Sequence, residues 1–376
     1  MPRFGILSTF APTRCGIATF TASLGTALAA EPDGGFDVVR LLEPGEAATW
    51  GPTRADPAVT ADLVAGDGAT RRRAVDALDS CDVVIVQHEY GIYGGTDGDE
   101  VLDVLEALRA PAIVVLHTVL RSPTAGQRRV LERICALAAS VVVMTGTAAR
   151  LLGCYAVAME KVHVIPHGVA VRPVPTVAHA ARPHVLTWGL IGPGKGIEWG
   201  IRAMARLDDM DPPPSYSVLG QTHPKVVAKE GERYRNALQD LIGRLGLSDS
   251  VRLDGRYLEP EELAAAVAAA DVVLLPYDSR DQVTSGVLVE AIAAGVPVVA
   301  TAFPHAQELL ESGPGIVVAH EDPAAIAAAV RSILTQQELA DRMRLAASVA
   351  SAETSWTDVA RRYRALASEL LHPVAV

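Results

Sequence analysis

Short β-branched runs alternate with longer stretches rich in alanine, leucine and arginine along the chain. That alternation predicts βαβ units and parallel sheets. In the first half, strands are expected at 4–8, 36–41, 83–87, 113–116, 141–144 and 162–165, with helices between them such as 17–29, 100–108 and 126–137. The run Val83, Val84, Ile85, Val86 is apolar without interruption, as a parallel strand buried on both faces should be. The alternation stops between 169 and 183, where Pro173, Pro175 and Pro183 fall in an aperiodic stretch that reads as a linker. A second series then begins. Strands are expected at 185–188, 216–219, 251–253, 272–275, 298–300 and 316–318. Helices are expected at 197–206, 225–244, 260–269, 287–294 and 324–334, and two more helical segments lie near 337–351 and 356–370. The expected architecture is two doubly wound α/β domains in tandem. Ligands in such sheets bind at the carboxyl ends of strands, and a cleft between two such domains is the default active site.

Composition narrows the classes. The 376 residues are 49% hydrophobic and 20% charged, which excludes a disordered chain. A net charge of −11 argues against general nucleic-acid binding, which depends on cations meeting phosphates. The basic groups Arg71, Arg72, Arg73 and Arg128, Arg129, Arg133 read as solvated helix faces. Cys15, Cys81, Cys135 and Cys154 contain no pair with metal or redox spacing, and Cys81 reads as a small core residue. Such thiols suggest a reducing compartment, hence the cytoplasm. The apolar stretch before Thr13 and Arg14 is too short for a signal peptide, and no run of 18 apolar residues is present to span a membrane. Peripheral membrane contact stays open.

Candidate chemistry gathers in loops after strands. Gly189 to Gly196, with glycines at 189, 192, 194 and 196 and a lysine at 195, leaves a strand and opens a helix. Glycines admit close backbone approach, and a helix N-terminus beside a lysine favours phosphate. The stretch nearly matches a P-loop, but Gly196 stands where the magnesium-binding hydroxyl belongs. A second stretch runs from Asp271 to Thr301. Ser285 is a plausible N-cap, and free amides at Thr284, Ser285 and Gly286 could hold a phosphate or sugar oxygen. Glu290 lies one turn inside the helix among apolar residues, where a carboxylate needs a partner. A ribose diol and an ion pair with a lysine or arginine fit equally well. In the first half, His88, Glu89 and Tyr90 follow a buried strand and are placed to bind acceptor hydroxyls. His117 ends the next strand. His163 reads as structural, His167 fits either role, and Asp97-x-Asp99 reads as a polar helix start.

Residues 184–304 resemble family 4 of the retaining glycosyltransferases, which have the GT-B fold: two Rossmann-like doubly wound domains facing a central cleft. The family's G-R-L-x-x-x-K-G turn is similar to Gly189 to Gly196. Its E-x7-E and A-x-x-x-G-x-P-V-V-A are similar to Gln282 to Ala300. At lower specificity, Ile165 to Val169 resembles its I-P-N-G-V, and Ser355, Trp356, Val359, Arg362 and Tyr363 resemble its terminal helix. The resemblance implies an acceptor-side domain at 1–172, a donor-binding domain at 173–355, and a helix at 356–376 that crosses back to the first domain. It implies that Lys195 meets the donor diphosphate and that Glu290 holds the nucleotide ribose. Thr284, Ser285 and Gly286 would meet phosphates or sugar, and His117 would lie beside the anomeric carbon. The loop with Gly16 resembles the family's first loop, which approaches the donor phosphates and the acceptor, with one glycine here in place of a pair. Two positions depart from the family. Leu190 replaces the turn arginine, a charge Arg14 could partly restore. Gln282 replaces the first glutamate, which contacts donor sugar hydroxyls, and Asp278 or Asp281 could supply the lost carboxylate.

The activity implied is transfer of a hexosyl unit from a UDP- or GDP-sugar to a hydroxyl on a sugar, glycan or lipid-linked acceptor, with retained configuration. No metal, cofactor or nucleic-acid partner is expected. Lys195, helix amides and Arg14 would stabilise the leaving diphosphate. A sugar-nucleotide epimerase or glycan phosphorylase on the same architecture, and a nucleotide-sugar-binding protein with weakened catalysis, are the competing readings.

Overall fold

Branching at Cβ stiffens valine and isoleucine and suits them to extended backbone. Their runs here build two separate parallel sheets. The computed structural model describes residues 2–31, 34–50, 56–170 and 182–372. The chain divides into two compact units, Met1–Ala170 with Thr354–Val376 and Val171–Glu353. Most of the expected linker lies outside the described residues.

The first unit contains β1 (Phe4–Ser8), α1 (Gly16–Ala29), β2 (Phe36–Leu42), α2 (Pro44–Trp50), β3 (Val59–Val64), α3 (Gly68–Leu78) and β4 (Val83–His88). It continues with α4 (Glu100–Ala107), β5 (Ala112–Leu116), α5 (Ala125–Leu137), β6 (Ser140–Val143), α6 (Gly146–Leu152) and β7 (Val162–Val164). The second unit contains β8 (His184–Trp188), α7 (Ile197–Met204), β9 (Ser215–Leu219), α8 (Pro224–Glu230), α9 (Arg233–Arg244), β10 (Val251–Asp254) and α10 (Pro260–Ala268). After these come β11 (Val272–Leu275), α11 (Gly286–Ala293), β12 (Val298–Thr301), α12 (Pro304–Leu310), β13 (Gly315–Val318), α13 (Pro323–Thr335) and α14 (Gln337–Ala350). The last helix, α15 (Trp356–Leu371), belongs to the first unit.

The first sheet runs β3-β2-β1-β4-β5-β6-β7 and the second β10-β9-β8-β11-β12-β13, all parallel. Both are doubly wound, with the crossover direction reversing beside the strand that starts the unit, β1 or β8. In the first sheet Phe4 pairs with Phe36 on one side and Val83 on the other. Val83, Val84, Ile85 and Val86 are fully buried, as their unbroken apolar run implies. Helix α15 packs on α1 within the first unit. Val359, Ala360 and Tyr363 join Phe20, Leu24 and Leu28 in one core, and the Trp356 ring meets Phe20 edge-on at 5.0 Å.

Three elements differ from expectation, among them the short helix α12, which was not anticipated. Strand β3 was not anticipated. It is an edge strand with only Val59 and Leu63 buried, so it lacks the apolar run that marks a central strand. The single helix expected at 225–244 is two helices, because Gly231 takes φ 62° after α8 and breaks the hydrogen-bond ladder. Among the described residues, no helix is long and apolar enough to cross a membrane.

Candidate functional site

The second sheet reverses its winding between β8 and β11, so the loops leaving those strands flank a crevice at their carboxyl ends. The first loop runs from Gly189 to Gly196 and the second from Pro276 to Ser285. They are locked together. The Asp278 amide donates to the Gly194 carbonyl at 2.9 Å. Gly196 sits at φ 58°, and a Cβ there would fall far inside contact distance of the Pro276 carbonyl oxygen. No serine or threonine fits at 196. The near-match to a P-loop is therefore not one, and the missing hydroxyl has a steric cause.

Each key charge is held by an aromatic residue from the other strand. The Lys195 ammonium lies 4.1 Å from the centre of the Tyr277 ring, just past the end of β11. Such a contact contributes about 0.5–1 kcal/mol or more as water is excluded. Tyr277 is buried and stacks on Phe303 at 5.2 Å. Glu290, on the helix after β11, accepts a hydrogen bond through Oε2 from the Trp188 indole at the end of β8, at 3.2 Å. Asp278 is similarly bound by the Trp199 indole at 2.9 Å. Burial, and then repulsion from Glu198, raise the Asp278 pKa.

The loop before α11 is tightly bonded. Gln282 donates through Nε2 to the Thr284 carbonyl at 3.1 Å. Ser285 is the N-cap, its hydroxyl accepting from the Leu288 amide at 3.3 Å. Its own amide is not free, contrary to expectation. It donates to Nδ1 of the buried His305 at 2.8 Å, and the His305 amide donates to the Gln282 carbonyl at 3.3 Å. Among the described residues, the buried Thr284 hydroxyl has no hydrogen-bond partner. Gly286 begins α11.

In the first unit, the loop after β1 leads into α1 through Cys15, whose Sγ accepts from the Ala18 amide at 3.4 Å. Arg14 and Gly16 are exposed, and a Cβ on Gly16 would meet nothing within 4 Å. No steric need for glycine exists at 16. His88 requires a correction. Its imidazole is wholly buried beside Tyr90 and Tyr93, at ring separations of 5.2 and 6.4 Å, so it offers nothing to an acceptor in this structure. Among the described residues, neither of its ring nitrogens has a partner. Glu89 and Tyr90 are half-buried and engaged internally. Thr118 and the Tyr90 amide donate to the Glu89 carboxylate, and the Tyr90 hydroxyl donates to the Gln127 carbonyl at 3.4 Å. His117 sits at the end of β5 with Nε2 2.7 Å from Gln87 Oε1, so Nε2 carries the proton. Its ring and that of His167 each meet Phe20 edge-on at 5.1 Å.

Burial lowers the pKa of His88 to about 4, of His117 to about 3 and of His167 to about 4. All three are neutral at pH 7. A depressed folded-state pKa contributes stability that is whole above the unfolded value, near 6.5, and is lost as pH falls toward the folded value. His88 alone should remove about 2 kcal/mol by pH 5. Urea denaturation at pH 7.5 and 5.0 checks this, since the His88→Phe variant should lose that much less on acidification than the wild type.

Trp188, Tyr277, Phe303 and His305 were not singled out in the sequence as site residues. The available signal was position, because Trp188 and Tyr277 are polar-tipped aromatics where buried strands meet the candidate loops.

Residues 182–336 match the family model described as Glycosyl transferases group 1. The chain is similar to the D-inositol 3-phosphate glycosyltransferase of Corynebacterium efficiens, at 34% identity over 185 residues, 48% of this chain and 41% of that one. It is also similar to the alpha-D-kanosaminyltransferase of Streptomyces kanamyceticus, at 32% identity over 163 residues, 43% of this chain and 39% of that one. The chain thus spans about two-fifths of the length of the curated relatives it matches. In fold it is similar to Anabaena HepE, solved in complex with UDP, with a TM-score of 0.76 and 18% identity, covering 98% of this chain and 100% of that one. The fold is GT-B, two Rossmann-like domains with parallel sheets, and the match to the group 1 glycosyltransferase model lies within the second unit.

Proposed function

We propose that this protein is a retaining glycosyltransferase of family 4 that moves a hexosyl unit from a UDP- or GDP-sugar to a hydroxyl of a sugar, glycan or lipid-linked acceptor. The observation that carries the reading is the reciprocal tie at the β8/β11 crevice. Trp188 from β8 orients Glu290, and Tyr277 after β11 carries Lys195. One anion-accepting cation and one diol-accepting carboxylate are thereby set at the mouth of one switch point, as a nucleoside diphosphate requires. The relatives' printed names, both glycosyltransferases, and the UDP bound to HepE support the same class of ligand.

Lys195 and the Gly286 and Val287 amides at the start of α11 would stabilise the charge that develops on the leaving diphosphate, without a metal ion. Arg14 would add charge on the acceptor-side unit. Gln282 gives one amide hydrogen to Thr284, and its Oε1 would accept from a donor sugar hydroxyl in place of the family's glutamate. His117, neutral and with its proton directed at Gln87, would accept a hydroxyl hydrogen through Nδ1 beside the anomeric carbon. The acceptor hydroxyl would attack on the face the diphosphate leaves and pass its proton to the donor phosphate, so no protein nucleophile is assigned. Glu89 and Tyr90 shape the acceptor side through their internal bonds. The four free cysteines suit a reducing cytoplasm.

Incubation with labelled UDP- and GDP-hexoses and a mixed acceptor panel, in the presence of a chelator, is the test. Transfer is expected, with the donor's anomeric configuration seen in the product by NMR. Inverted product would overturn the retaining mechanism. Tight binding with neither transfer nor hydrolysis would leave a nucleotide-sugar-binding protein.

A further inference from the structure

The two donor loops share a support that neither motif contains. Phe303, Pro304 and His305 follow β12 and are all buried. Phe303 stacks on Tyr277, the ring that carries Lys195. His305 reaches the other half of the site, taking the Ser285 amide on Nδ1 and giving its own amide to the Gln282 carbonyl. The Tyr277 carbonyl is fixed in turn by the Thr301 hydroxyl at 2.5 Å and by His320 Nδ1 at 2.8 Å. Nothing in this segment is exposed enough to meet a ligand directly.

We infer that His305, with Phe303, is a positioning residue for the donor site, setting the conformation of the Gln282–Ser285 loop through its Nδ1. The inference rests on the proposed donor site. A buried amide that loses its acceptor is costly, so the loop must rearrange to find another. The rearrangement would displace Gln282, Thr284 and the start of α11 together. A neutral imidazole can accept at Nδ1 only with its proton on Nε2, so the Ser285 amide also fixes the tautomer of His305.

Two substitutions separate this role from general support of the core. In His305→Asn the side-chain oxygen falls near the place of Nδ1. In His305→Gln it falls one bond further out, near Nε2. Both are polar and of similar bulk, so loss of packing affects them alike. UDP and GDP affinities should stay within about 3-fold of wild type in the asparagine variant and fall roughly 10-fold or more in the glutamine variant. Hydrogen exchange at the Ser285 amide should be slow in the wild type and the asparagine variant, and fast in the glutamine variant. Equal binding and equal exchange in the two variants would overturn the inference. If the wild type binds neither nucleotide, the functional reading fails, and the Ser285 exchange rates alone decide whether His305 sets the loop.

Discussion

Gly196→Ser completes a P-loop sequence, and the substituted protein will be less stable by about 2–5 kcal/mol. About 1–2 kcal/mol of this comes from placing a side chain in the left-handed region, and the rest from overpacking. Gly196 lies at φ 58°, with the Pro276 carbonyl occupying the space a Cβ would need. That carbonyl cannot retreat easily, because the two residues that follow it are tied. Asp278 bonds Gly194, and the Tyr277 carbonyl is held by Thr301 and His320. Denaturant unfolding of the wild type, Gly196→Ala and Gly196→Ser will show the loss. Alanine should cost nearly as much as serine, since the shared Cβ is the cause. A serine variant of wild-type stability that also gained magnesium-dependent nucleotide binding would mean that the loop is a P-loop after all.

Lys195→Ala should weaken UDP or GDP binding by roughly 1.5–3 kcal/mol, the range of a hydrogen bond to a charged group. That corresponds to about 10- to 150-fold in affinity. Leu190 stands where the turn it resembles has an arginine, so no second cation shares the load in that turn and the loss should sit toward the upper end. The lysine does not search freely for its ligand. Its ammonium rests on a buried ring whose position is set by Phe303. Tyr277→Leu removes that platform while keeping the charge. It should weaken binding less than Lys195→Ala, and calorimetry of both variants gives the order.

The fold was largely legible because parallel strands buried on both faces leave unbroken apolar runs, as at Val83–Val86 and Val272–Leu275. Strand β3 escaped for the converse reason. At the edge of the sheet, its Thr60, Ala61 and Asp62 escape full burial, and the run is broken. In the site, position along the chain was legible and side-chain direction was not. Ser285 was identifiable as a cap because capping is local, with Leu288 three residues on. Its amide looked available because the residue that takes it lies 20 positions away. Trp188 and Glu290 are 102 positions apart, and no local pattern joins them. His88 ends a buried strand, where a ring can point to ligand or into the core. Its burial beside Tyr93 depends on how the following loop folds back.

The account turns on Lys195 serving the diphosphate and Glu290 the ribose of one bound nucleotide. Calorimetric titration of UDP, GDP and free pyrophosphate into the wild type, Lys195→Ala and Glu290→Gln measures this directly. Lys195→Ala should weaken all three ligands. Glu290→Gln should weaken the nucleotides and leave pyrophosphate unchanged. Wild-type affinities for every ligand in both variants would contradict the assignment of the donor site.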